Sequence, residues 1–138
     1  MTPRGMSVED RFWLKTVRGS TDDECWMWMG AMSGRYGKLF IGRDEYGRVK
    51  SEYAHRISYE MYEGPIPDGM EIDHTCNNGW CVNYRHLEVV TGFENKSRQG
   101  SRQTHCVHGH EYTAANTYLD RRGQRRCRAC AAERRAAA

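Results

Sequence analysis

Six cysteines and six histidines in a chain of 138 residues constrain the fold more than any other feature, because most of them fall into two tight groups. The first is His74-x-Cys76-x4-Cys81-x4-His86. The second is Cys106-x3-His110 followed, after sixteen residues, by Cys127-x2-Cys130. Valine, isoleucine, leucine and phenylalanine together number only 18 of the 138 residues, a proportion at which disorder is the ordinary expectation. A formal charge of +3 does not favour disorder. Four Trp and eight Tyr restore part of the apolar surface, and metal or covalent staples are the usual remedy for the rest.

The compartment decides between the two staples. No run approaches the ~18 apolar residues of a membrane span, and MTPRGMSVEDRF lacks the apolar stretch of a signal peptide. The expectation is an intracellular, cytoplasmic protein without a membrane partner, where thiols stay reduced and zinc is favoured over disulfides. Cys76, Cys81 and His86 supply three donors, and a structural zinc site takes four. Cys25 is the one cysteine left outside the C-terminal group, so Cys25, Cys76, Cys81 and His86 are expected to form one site. Cys106, Cys127 and Cys130 form the second, with His105, His108 and His110 competing for the fourth position. His110 is preferred because Cys-x3-His can turn both donors inward at Gly109.

Charge is unevenly distributed. Residues 1–97 carry 12 Lys+Arg and 15 Asp+Glu, whereas residues 98–138 carry nine Arg and three acids. An all-arginine bias suits phosphate recognition, and nucleic acid is the expected partner. Arg121, Arg122, Arg125, Arg126 and Arg128 lie on or beside one short predicted hairpin. A second basic group, Arg35, Lys38, Arg43, Arg48 and Lys50, lies on a predicted glycine-punctuated hairpin (38–41 and 46–50), a two-stranded ribbon of the kind that fits a DNA major groove.

Hydrophobic spacing predicts helices over 8–17 and 52–62 and a strand from Cys25 with Trp26 and Trp28 on one face. Beyond Pro65-Ile66-Pro67-Asp68-Gly69 come a strand at 70–74, a loop at 75–85, a strand at 86–90 and a helix from Thr91 to about Gln99. Strands at 116–119 and 124–127 and a helix from Arg128 form a C-terminal module. The expected division is 1–99 and 100–138.

Asp73, His74, Asn83 and Asn95 remain once the zinc donors are assigned. A carboxylate and an amide oxygen suit Mg²⁺, and a neutral imidazole can deprotonate water near pH 7. The stretch DHTCNNGWCVNYRHLEVVTGFENKSR closely resembles the HNH nucleases of phages and introns, within the His-Me finger (ββα-metal) superfamily. Its Cys and His spacing is similar to that of the His-Cys box homing endonucleases. RFW, CWMW, GRYGK, AHRISYEMYEGPIPDG and HCVHGHEYTAANTY…RRCRAC extend the resemblance to small phage HNH proteins.

The resemblance implies a small α+β fold: a zinc-stabilised ββα-metal core preceded by a hairpin and helix, with a zinc-ribbon-like C-terminal module. It implies a DNA endonuclease in which His74 is the general base and Asn95 a ligand of Mg²⁺ or Mn²⁺. Asp73 matches the ligand of Asp-His variants, although His-Cys box enzymes manage with the Asn alone. Asn83 would position the loop and orient His74, and Arg56 would contact the scissile phosphate. One active site cuts one strand, so double-strand cleavage requires a homodimer or two visits. The rival readings are a non-catalytic zinc-containing DNA-binding protein and an RNA-binding or virion-assembly accessory.

Overall fold

A computed structural model describes residues 5–138 as a small α+β protein. Its chain divides into two compact units, the first ending at Gly92 and the second running Phe93–Ala138. The boundary expected at 99/100 falls inside a helix, α3 (Gly92–Arg102).

In the first unit, α1 (Val8–Leu14) opens on a capping box in which the Asp10 N–H donates to Ser7 Oγ at 3.0 Å and the Ser7 N–H donates to Asp10 Oδ2 at 3.2 Å. The helix is shorter than its hydrophobic spacing predicts. Thr16 and Val17 leave it to form β1 (Thr16–Val17), which pairs antiparallel with β2 (Met27–Trp28). Two successive β-branched residues favour that outcome, and Val17 is exposed instead of joining the core.

Trp26 and Trp28 are both buried, as the period-two pattern predicts. With Phe12, Leu39, Ala54, Ile57 and Val82 they form the main core. Gly37 is required there, since a Cβ at that position would collide with the Trp28 indole.

The basic hairpin is β4 (Tyr36–Arg43) paired with β5 (Val49–Tyr53), and β3 (Met32–Ser33) adds a short third strand. Tyr46, predicted to open the second strand, lies instead in the turn. There Asp44 Oδ1 accepts from the backbone of Tyr46 and Arg48 at 2.9 Å each, and Gly47 takes a φ of 76°. At its other end β5 takes Glu52 and Tyr53 from the predicted helix, which begins at Ala54 as α2 (Ala54–Glu63).

Strand β6 (Met70–His74) pairs antiparallel with β7 (Leu87–Thr91) in the register Met70↔Thr91 to His74↔Leu87. Ile66, Ile72 and Leu87 form a second small core there. Helix α3 follows β7 directly and runs three residues beyond its predicted end, to Arg102.

The second unit contains β8 (Thr117–Leu119) antiparallel to β9 (Arg125–Cys127), then α4 (Arg128–Ala136). Asn116 fastens this unit through side-chain bonds to the Glu111 carbonyl at 2.8 Å and the Ala129 N–H at 2.9 Å.

Candidate metal centres and active site

Cys25, Cys76, Cys81 and His86 bring their donor atoms within 4.8 Å of one another, and so do Cys106, His110, Cys127 and Cys130. Each group lies within one unit. A tetrahedral zinc with Zn–S of about 2.3 Å and Zn–N of about 2.0 Å spaces its ligands about 3.5–3.8 Å apart. His86 Nδ1 stands 3.6 Å from Cys25 Sγ and 3.4 Å from Cys81 Sγ. In the second group Cys106 Sγ lies 3.5 Å from His110 Nδ1 and 3.6 Å from Cys130 Sγ. The donor sets fit zinc, and His110 takes the position that His105 and His108 contested.

The outer imidazole nitrogens complete the fit. His86 Nε2 lies 2.8 Å from the Asp23 carbonyl, and His110 Nε2 lies 3.1 Å from Glu133 Oε1. Each contact fixes the tautomer that presents Nδ1 to a metal. The thiols also show crowding: burial, with the neighbouring Cys106 and Cys127 thiols, pushes Cys130 up to about 12. Burial likewise raises Cys81 and Cys76. Cys106 moves the other way: burial opposes its ionisation, but hydrogen bonds from the backbone at His108 and His110 outweigh that and bring it to about 6. Donor atoms packed this closely could hold a cation between them.

His74 ends β6 and is buried, with Nε2 3.1 Å from the Cys81 carbonyl. A carbonyl only accepts, so Nε2 carries a proton. Cys81 therefore has two roles, its thiol in the metal group and its carbonyl on His74. Asp73 is 3% exposed and Asn95, in the first turn of α3, is 8% exposed; Asn95 Oδ1 accepts from Gln99 Nε2 at 3.3 Å.

Asn83 departs from its expected role. It positions the loop, but its amide donates to the carbonyls of Asp22 and Glu24 at 2.8 Å each and accepts from the Arg85 N–H at 3.1 Å. With both donors and the acceptor engaged, it does not orient His74; the Cys81 carbonyl does. Arg56 Nε stands 3.7 Å from Glu52 Oε1 as a half-exposed ion pair.

Several basic side chains are held within the fold. Arg43 donates to the Gly47 carbonyl at 2.8 Å, Arg48 pairs with Asp44 at 2.7 Å, and the Lys38 ammonium lies 4.6 Å from the Tyr53 ring centre. Arg35 and Lys50 are exposed. In the second unit Arg125 donates to the carbonyls of Gly100 and Gln103 and covers the Tyr112 ring, a fastening role in place of the expected phosphate contact. Arg126 pairs with Asp120 at 2.9 Å and Arg128 lies over Tyr118, whereas Arg121 and Arg122 project from the exposed β8–β9 turn.

His55 was not found by sequence reasoning. It is buried in the first turn of α2, and its Nδ1 has no hydrogen-bond partner. Burial, then the nearby His74 and Arg56, lowers it to about 3. The only signal in the sequence is its three-residue spacing from Ser58, a second buried polar residue, whose hydroxyl donates to the Val82 carbonyl at 2.5 Å.

The depressed value has a sign. An unfolded His55 takes a proton near pH 6.5 and the folded one does not, so between pH 6.5 and about 3 the unfolded chain binds more protons and stability falls as pH falls. Against His55→Phe, the wild type is expected to lose about 2 kcal/mol between pH 7 and pH 5. Denaturant titrations of the two proteins check this, and parallel acid profiles would refute it.

Residues 52–96 match the family described as HNH endonuclease. The matched segment contains His74, Asn83 and Asn95 and three of the first metal group. The chain is 44% identical over 55 residues to the uncharacterized gene 5.3 protein of Enterobacteria phage T3, covering 40% of this chain and 54% of that protein. It is 31% identical over 74 residues to protein 7.7 of Escherichia phage T7, covering 53% of this chain and 52% of that one. The chain thus spans about half the length of the curated relatives it matches. No solved structure gives a significant match. No helix among the described residues is long and apolar enough to cross a membrane.

Proposed function

We propose that the chain is a divalent-metal-dependent DNA endonuclease with a ββα-metal core, two structural zinc ions and a basic zinc-binding C-terminal module, acting in the cytoplasm of a phage-infected host. The observation that supports this best is His74, buried inside the HNH-matched segment with its Nε2–H directed at the Cys81 carbonyl. Nδ1 is then the atom assigned to take the proton of a water attacking phosphorus in line. Asn95 and Asp73 offer hard oxygen donors on residues more than nine-tenths buried, which suits Mg²⁺ or Mn²⁺. When bound there, the ion supplies Lewis-acid stabilisation of the charge developing on the phosphate and the departing 3′-oxygen. Arg56 holds Glu52 loosely enough to exchange it for a DNA phosphate. The products are a 5′-phosphate and a 3′-hydroxyl.

The test is incubation of zinc-loaded protein with supercoiled plasmid, with and without Mg²⁺. Nicked or linear DNA should form only with the metal. If no plasmid, linear duplex or single strand is cut with Mg²⁺, Mn²⁺ or Ni²⁺ while DNA is still bound, the chain is a zinc-containing DNA-binding protein instead. Asn95→Ala should abolish cleavage in Mg²⁺ and recover part of it in Mn²⁺ or raised Mg²⁺, because losing one ligand weakens ion binding but leaves the base in place. Recovery to wild-type rates at ordinary Mg²⁺ would remove Asn95 from the site.

Arg121 and Arg122 are the tail arginines most available to phosphates. Replacing both with glutamine should reduce the slope of log affinity against log salt by about 1.8. An unchanged slope would move the contacts to Arg35 and Lys50.

A further inference from the structure

We propose that Trp80 is a stacking platform for an unpaired nucleobase of the DNA strand beside the scissile phosphate, with Arg35 taking a neighbouring phosphate. The proposal rests on the nuclease reading above and adds a substrate feature to it, a base out of its pair next to the cut.

Three of the four tryptophans are used inside the fold. Trp26 and Trp28 are buried, and Trp13 lies against Phe12 and Trp26 with the Arg18 guanidinium over its face. Trp80 differs: it is 47% exposed and joins none of the ring stacks among the described residues. Exposure of a single apolar residue is ordinary, and the mounting is what sets this one apart. The Trp80 N–H donates to Asn78 Oδ1 at 3.1 Å, and its carbonyl accepts from the Trp28 N–H at 2.9 Å. Asn77 turns the chain just before it with a φ of 56°, and the Cys81 N–H just after it donates to the Asn78 carbonyl at 3.0 Å. A face carried on backbone fixed in this way loses little freedom when a flat ligand covers it.

Two chain segments bring that face to the site. Cys81, directly after Trp80, has its carbonyl 3.1 Å from His74 Nε2. Tyr36, directly after Arg35, stacks on His74 with ring centres 5.5 Å apart. Gly79 joins the segments, because a Cβ there would collide with the Arg35 carbonyl. Trp80 and Arg35 each lie one residue, about 3.8 Å between Cα atoms, from a residue that touches His74.

The composition of these segments selects the ligand. Residues 33–36 and 75–80 contain no carboxylate and no second exposed ring, while Arg35 and Asn77 are exposed. One π-face among amides and a guanidinium suits a base carried on a phosphate chain, since every base has a face to stack. It does not supply the contiguous apolar patch of a protein-binding surface.

The experiment measures binding to DNA carrying 2-aminopurine, whose fluorescence falls on stacking, placed in a single-base bulge or in a fully paired duplex. The zinc-loaded chain is used with no Mg²⁺ added. Wild type should quench the bulged probe. Trp80→Ala should lose the quench and bind that probe about 5–100-fold more weakly, yet bind the paired duplex within about twofold of wild type. Trp80→Phe should keep most of the effect, and Trp80→Leu, apolar but without a ring, should behave like the alanine variant. Arg35→Gln should lower the slope of log affinity against log salt on the paired duplex by about 0.9. With Mg²⁺, wild type should cut the bulged duplex within about three nucleotides of the bulge.

Zinc content should be unchanged in every variant. If Trp80→Ala loses zinc, Trp80→Phe and Trp80→Leu decide, and equal affinities of those two for the bulged probe overturn the platform. Equal quenching by wild type and Trp80→Ala, or a wild type that favours the paired duplex, overturns it directly. Cuts scattered without regard to the bulge would remove Trp80 from the active site. If the quench is present and no DNA is cut with Mg²⁺ or Mn²⁺, the nuclease reading fails while the base platform stands.

Discussion

His74→Ala should slow cleavage by on the order of 10²–10⁴-fold, the span lost with a general base, while zinc content and DNA affinity stay at wild-type values. The separation is expected from where the side chain sits. His74 is buried at the strand end, outside both metal groups, and its hydrogen bond runs to a backbone carbonyl, which the variant leaves in place. The Cys81 thiol and the loop from Thr75 to His86 therefore keep their anchoring. Single-turnover nicking of supercoiled plasmid by wild type and variant, each checked for zinc by elemental analysis, makes the comparison. A variant that cuts at the wild-type rate, in a preparation free of contaminating nuclease, would show that the base lies elsewhere. A variant that loses zinc or DNA affinity as well would show that His74 holds the loop and not only the water.

The local pattern carried some of this architecture and not the rest. Met70–His74 emerges with its predicted bounds because a turn-forming Pro-Asp-Gly precedes it and β7 pairs with it along its whole length. The two donor groups could be read from spacing, since cysteine chemistry leaves few ways to complete four ligands and Cys25 was the single unassigned thiol. What escaped is set by residues far apart in the chain. Asn83 binds carbonyls at Asp22 and Glu24, about sixty residues away, and no periodicity announces that. The end of α1 at Leu14 is decided by pairing of Thr16 and Val17 with Trp28 and Met27, a tertiary contact that overrides helical spacing. His55 was invisible for the same reason, because its buried setting is made by rings on three other elements.

Removing zinc should have its largest effect in the second unit. Among the described residues beyond Gly92, the buried hydrophobic side chains are Cys127 and Cys130, both of them donors of the metal group. No aliphatic core stands behind them, so the cluster is itself the core, and a chain segment of this size cannot offset its ordering entropy without one. Structural zinc contributes about 10–16 kcal/mol in small zinc domains at neutral pH, against a net stability of about 5–15 kcal/mol for whole domains. Cys127→Ser should therefore unfold β8, β9 and α4 outright. The first unit has more to hold it, since Phe12, Trp26, Trp28 and Leu39 pack independently of any metal. Cys81→Ser should still free the loop that carries Asn83 and His86, and with it the carbonyl that orients His74. Elemental analysis should give two zinc ions per chain, and hydrogen exchange should separate the two losses. In Cys127→Ser the amides of 117–119 and 125–127 should exchange at unprotected rates while those of 70–74 and 87–91 stay slow. Protection retained in the β8–β9 hairpin, or a wild-type chain holding less than one zinc, would mean that something other than metal holds the second unit together.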